Sequence, residues 1–149
     1  MFKNLLIATD GSELGNKALA AGLELARLNG ASVTIMTASD PVTTVFGAGG
    51  FGTIDAGSII EELERRYAAE AATLLAAAAA EAQIAGVTAR TLHLPGHRPA
   101  DAIVQLAADE GCDTIVMGSH GRRGFQRLLL GSQAAEVLAR AAVPVLIIK

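Results

Sequence analysis

Apolar and polar positions along this chain follow two alternating rhythms. Short, almost wholly apolar runs recur, and between them apolar residues repeat at steps of three and four. The first kind reads as buried strand, the second as a helix face. Lys3 to Thr9 is the first strand. Ser12 is placed to cap a helix whose face is Leu14, Ala18, Ala21, Leu25 and Leu28 and which Asn29-Gly30 ends. Ser32 to Ala38 is the second strand, and Asp40 to Gly57 is a long loop. The capping box Ser58-Ile59-Ile60-Glu61 opens an alanine-rich helix that runs to the region of Ala85. Val87 to Leu94 is a third strand of mixed polarity, with Thr88, Arg90, Thr91 and His93, as befits a sheet edge. Pro95-Gly96 turns the chain and Pro99 suits the first position of a helix. Ile103, Val104 and Ala107 form that helix's buried face, and Gly111 ends it. Asp113 to Met117 is the fourth strand, the helix after Ser132 buries Val137, Leu138 and Ala141, and Val143 to Ile148 is the fifth strand.

Strands alternating with helices imply a parallel sheet covered on both faces. The 149 residues make one α/β domain spanning the chain. A doubly wound, Rossmann-like order 3-2-1-4-5 puts the polar third strand at an edge and the apolar first and fourth strands in the centre. Winding then reverses between strands one and four, and ligands in such sheets sit at the C-terminal ends of the strands flanking that switch. The loops there are Thr9-Asp10-Gly11-Ser12 and Gly118 to Ser132. The fifth strand, Val145-Leu146-Ile147-Ile148, is wholly apolar although it forms the other edge. An apolar edge invites pairing with another chain, so a homodimer through this strand is expected. Pro144 blocks pairing only near its start.

Charge narrows the ligand. A net charge of −3 gives no general pull toward nucleic acid or anionic lipid. The stretch from Gly118 to Ser132 nevertheless holds Arg122, Arg123 and Arg127 and no acid, which suits a small anion. The one cysteine, Cys112, excludes an intramolecular disulfide. The run Ala76 to Ala80 falls far short of the roughly 20 apolar residues of a membrane span. No secretory signal pattern is read at the start, and a soluble cytoplasmic protein is expected. Gly47-Ala48-Gly49-Gly50-Phe51-Gly52 spells a dinucleotide fingerprint but lacks its strand-turn-helix context, and reads instead as a flap. His93 and His97 are split by Pro95-Gly96, so no metal-ligand pattern is present.

The glycine-rich loop after the fourth strand carries the chemistry. Glycines let backbone approach an anion, and the first turn of a helix has N–H groups with no internal partner. Ser132, at the helix start, serves as cap and phosphate ligand together. Asp10 ends a central strand at the switch point and is the acid placed to meet a ligand. One arginine is expected near phosphate, which one being open. Phe125 and Leu128-Leu129-Leu130 read as packing that anchors the loop.

The spacing Gly118-x2-Gly121-x9-Gly131-Ser132 resembles the motif of the ATP-binding branch of the universal stress protein family. The opening Ile7-Ala8-Thr9-Asp10-Gly11-Ser12-Glu13 and the ending Val143-Pro144-Val145-Leu146-Ile147-Ile148 are similar to that family's first and last strands. The resemblance covers the whole chain. It implies the 3-2-1-4-5 fold, dimers through the last strand and bound ATP, with any magnesium carried on the phosphates. By position, it puts Asp10 on the adenosine side, the backbone of Ala38 on the adenine edge and Met117 near the base. Gly118 and Gly121 line ribose and phosphates, and Gly131 and Ser132 hold the phosphates. Gln133 stands where the family often has valine, and its backbone N–H can still reach phosphate. The function implied is regulatory: nucleotide occupancy read by a protein partner. One alternative is a slow ATPase or phosphotransferase, although no general base or nucleophile pairs with the loop. Another is a nucleotide-free scaffold, against which the intact glycines stand.

Overall fold

The computed structural model describes residues 1–42, 56–122 and 130–149. Among the described residues five strands and four helices alternate: β1 (Asn4–Ala8), α1 (Glu13–Asn29), β2 (Ser32–Ser39), α2 (Ala56–Ile84), β3 (Ala89–Pro95), α3 (Pro99–Asp109), β4 (Thr114–Gly118), α4 (Ser132–Arg140) and β5 (Val145–Ile148). The strands form one sheet in the order β3-β2-β1-β4-β5, every pair parallel. The order and layering agree with the sequence reading. The segment from Gly47 to position 55, like Arg123, Phe125, Arg127, Leu128 and Leu129, lies outside the described residues.

The central strands are apolar throughout because both of their faces are covered. Leu5 and Ile7 of β1, with Val33, Ile35 and Val116, pack under α1 and α2. Leu6 and Ala8, with Met36, Ile115 and Met117, pack under α3 and α4. At the β3 edge the Arg90 side chain bonds the buried Thr34 hydroxyl (3.1 Å) and pairs with Glu110. That contact satisfies a polar group that would otherwise be buried alone. Among the described residues no helix is long and apolar enough to cross a membrane.

Four elements depart from the sequence pattern. The buried face of α1 is Gly15, Ala18, Leu19, Gly22, Leu23 and Ala26, and the expected Leu28 is 67% exposed. The reason is close packing on the sheet: a Cβ on Gly22 would come within 2.5 Å of Ile7 Cδ1. The small residues set the helix's rotation, and the leucines at 14, 25 and 28 fall to its flanks. In α4 the buried positions are Ala134 and Val137, while the expected Leu138 is 45% exposed on the helix flank. Helix α2 is already formed at Ala56, which puts Ser58 inside its first turn rather than at its cap. Strand β3 begins only at Ala89, because Val87 still bonds back to Ala82 O (2.9 Å) in the turn that ends α2.

Gly22→Val should therefore cost stability although it removes a helix-interior glycine. Overpacking this contact is expected to lose about 2 kcal/mol, read as a lowered denaturation midpoint with an unchanged m-value. A variant as stable as the parent would mean that α1 does not seat on Ile7 as described.

Candidate functional site

β1 is the shortest reach in the middle of the sheet. Its last bond to β2 runs from Thr9 N to Met36 O (3.0 Å), after which the chain turns into α1. Its neighbours continue past it, leaving a notch at the C-terminal edge of the sheet. Along a parallel strand, successive residues turn their backbone groups to alternate neighbours. Met36 O accepts from β1, and Ser39 O accepts from His97 N (3.0 Å) beyond β3. Ala38 therefore turns its N–H and C=O toward the β1 side, where β1 has ended.

Asp10 ties the notch together. Its Oδ1 accepts the Ser12 N–H (3.0 Å) within its own turn. Its Oδ2 accepts the Arg122 N–H (2.7 Å) from the loop after β4. Ser12 in turn caps α1 by accepting from Gly15 N (3.1 Å). Gly121 is a glycine for a local reason: a Cβ there would stand 2.7 Å from Asp10 Oδ2. The other motif glycines also face protein atoms, Gly118 against Leu14 of α1 and Gly131 against Ser119 O. Gly131 N donates to that same Ser119 O (2.9 Å), which returns the chain to the end of β4.

The return delivers α4 with its N-terminus aimed into the notch. Gly131 is the N-cap, so Ser132 is the first helical residue and not the cap that the sequence suggested. Ala135 N donates to Gly131 O (2.9 Å). The N–H groups of Ser132, Gln133 and Ala134 find no acceptor among the described residues. Three free donors at the positive end of a helix dipole form an anion seat. The Gln133 side chain has a separate task. Its Oε1 accepts the Ala100 N–H (2.9 Å) at the start of α3, whose own N-cap, Arg98, makes no side-chain capping bond. The glutamine thus stands in for a cap from a neighbouring helix.

All eight residues singled out in the sequence, Asp10, Ala38, Met117, Gly118, Gly121, Gly131, Ser132 and Gln133, line one cleft of about 460 Å³. Pockets that hold small ligands run to roughly 300–1,000 Å³. The anion seat lies at one end and the open backbone of Ala38 at the other, which suits a phosphorylated molecule with a hydrogen-bonding ring. Arg122 lines the cleft through described atoms, whereas Arg123 and Arg127 lie outside the described residues. A wider groove of about 750 Å³ between α1 and α2 shares Thr9, Glu70, Leu74 and Arg122 with this cleft.

Sequence reading missed the α2 wall, where Tyr67, Ala71 and Leu74 line the cleft, and the α3 wall of Pro99 and Ile103. The 67, 71, 74 spacing is a helix stripe that looks like ordinary core. Ser39, also in the lining, bonds His93 Nε2 through its hydroxyl (2.6 Å). Burial pulls the His93 pKa below its ordinary 6.5, favouring the neutral ring. Among the described residues, no three His, Cys, Asp or Glu side chains are grouped to hold a metal.

The sequence and the fold have relatives among known proteins. The universal stress protein family model matches residues 1–149, and the chain belongs to that family. A universal stress protein of Thermus aquaticus is 36% identical over 149 residues, with 100% of both chains covered. A solved protein of Methanocaldococcus jannaschii superposes with a TM-score of 0.84 at 28% identity, covering 100% of this chain and 96% of its own. A universal stress protein from Archaeoglobus fulgidus, solved in complex with dAMP, gives a TM-score of 0.68 at 26% identity, with 99% and 98% covered.

Asp10→Ala should loosen the loop after β4 without unfolding the domain. Stranding the Arg122 N–H is expected to cost about 1–2 kcal/mol and to speed amide exchange at Arg122 while the β4 amides stay protected. Unchanged exchange at Arg122 would show that the carboxylate does not hold the loop.

Proposed function

We propose that this protein binds an adenine nucleotide, ATP, and that occupancy of the cleft is read by a protein partner. One observation carries the proposal: free helix N–H groups and an open strand edge face each other across a single cleft. In this reading the phosphates sit on the N–H groups of Ser132, Gln133 and Ala134, with the Ser132 hydroxyl beside them. The glycines 118, 121 and 131 keep side chains out of their way. The adenine edge pairs with the N–H and C=O of Ala38, Met117 packs against the base, and Asp10 faces the sugar. A carboxylate has about four lone-pair sites, so Asp10 can hold its two backbone donors and still accept from a ribose hydroxyl. Magnesium, where present, travels on the phosphates and contributes charge neutralisation. The dAMP-bound relative supports adenine over other rings.

Binding and reporting suit the site better than turnover. Phosphoryl transfer needs a positioned base or nucleophile. Asp10, one of three acids in the cleft lining with Asp40 and Glu70, is held by two backbone N–H groups and in this reading faces the sugar, away from the phosphates. We place the protein in the cytoplasm, where the nucleotide is plentiful.

We also propose a homodimer through β5. This strand ends the sheet beside β4, and Leu146 (39%) and Leu138 (45%) expose apolar surface at that side. Two copies of the strand pairing antiparallel about a two-fold axis would cover both.

The nucleotide proposal is tested by denaturing the purified protein, identifying what is released, and titrating the stripped protein with ATP by calorimetry. Binding is expected, and Gly121→Val should weaken it at least about a hundredfold, the side chain displacing Asp10 from the loop. Absence of both released nucleotide and added-ATP binding would refute the proposal; normal ATP affinity in Gly121→Val would refute the loop assignment. For the dimer, Ile147→Glu is expected to elute as a monomer on sizing, and a persisting dimer would place the interface elsewhere.

A further inference from the structure

Tyr67 is the only tyrosine in a chain without tryptophan. It stands half-buried on α2 and lines the cleft. Ala71 and Leu74, four and seven positions on, share its helix face and the same cleft. Leu74 packs against the turn after β1, its Cδ1 lying 2.9 Å from where a Gly11 Cβ would be. At 1.5 Å of rise per residue, Tyr67 lies roughly 10 Å from Leu74 along the helix axis, toward the N-terminal end of α2.

A ring paired by its edge to Ala38 continues the plane of the sheet. Its two faces then point at the two helical layers. The layer of α3 offers Ile103, with Met117 beneath it, and the layer of α2 offers Ala71 and Tyr67. The Arg66 guanidinium lies over the tyrosine ring, 6.0 Å from its centroid. Tyr67 lines the cleft and Arg66 does not.

We propose that Tyr67 stacks on the base of the bound nucleotide from the α2 side and so makes the cleft select for a flat aromatic ring, not for phosphate alone. This rests on the nucleotide reading above and adds to it a residue that the glycine motif does not contain. Stacking of a base on an aromatic side chain has a cost on alanine substitution that corresponds to about a tenfold change in affinity or more.

The protein carries its own reporter, because tyrosine emission arises from position 67 alone. Wild type, Tyr67→Phe and Tyr67→Ala are titrated with ADP and, separately, with inorganic tripolyphosphate, by calorimetry and, for wild type, by tyrosine fluorescence. Saturating ADP should quench the wild-type emission, and tripolyphosphate should leave it unchanged. Tyr67→Phe should hold ADP within about twofold of wild type, and Tyr67→Ala should bind it about tenfold more weakly. Tripolyphosphate affinity should be equal in all three, which a misfolded variant could not show. If ADP binds but emission is unmoved and Tyr67→Ala binds as wild type does, the stacking role is overturned while the nucleotide reading stands. If neither ADP nor ATP binds to any of the three, both fall together.

Discussion

The structure hangs on how one carboxylate is shared. Asp10 leaves β1 where the sheet changes its winding direction, and its two oxygens bond two different segments of backbone, its own turn and the loop after β4. Without that bridge the turn that starts α1 and the loop that leads to α4 would be independent pieces of surface. With it, they form two walls of one cleft at a fixed separation. The bond is charge-assisted and part of a short chain of caps running on through Ser12 to Gly15. Hydrogen bonds to a charged group are worth about 1.5–3 kcal/mol, against about 1 for neutral ones. A single acid is thus enough to set the geometry of a loop that carries little apolar packing among its described residues.

The glycines follow from that bridge. In the sequence they look like places where backbone comes close to a ligand. In the fold, each first meets a protein atom: Gly121 the Asp10 carboxylate, Gly131 the carbonyl of Ser119, Gly118 the first turn of α1. The two explanations are compatible, because a loop drawn tight onto the sheet by its own contacts also leaves a vacant space above it. The chain leaves β4 at Gly118 and is held against Ser119 again at Gly131.

Much of this was readable from the chain itself. The apolar runs are strands because both faces of a parallel sheet are buried, and the polar composition of β3 marked it as an edge. The cleft that gathers the candidate site residues lies where strand order and a basic, glycine-rich loop at a helix start pointed. What escaped reading has two physical causes. Glycine carries no hydrophobic signal, so a helix face built on Gly15 and Gly22 shifts the apparent stripe of α1, and a flank leucine such as Leu138 is mistaken for core. Contacts between distant segments leave no local pattern either. Nothing near Gln133 announces that its side chain bonds Ala100, and Tyr67, Ala71 and Leu74 differ from ordinary core only in what lies opposite them. Ala38 was placed by resemblance alone; its open backbone became a physical argument once the end of β1 was seen.

The double use of Gln133 links two parts of the fold thermodynamically. Its backbone N–H belongs to the free first turn of α4, and its side chain holds the start of α3. The two helices are joined further out by Arg98 with Glu136 and by Arg140 with Asp101. For any anion seated on α4, ordering that turn also orders the cap on α3, so the free energies of the two events are coupled. Such coupling is reciprocal. A protein that gripped the outer surface of α3 and α4 and shifted one helix against the other would change the affinity of the cleft, and the cleft's occupant would change that protein's grip by the same factor. In the reading proposed above, the seating of one helix on its neighbour is the route by which occupancy of the cleft reaches a partner.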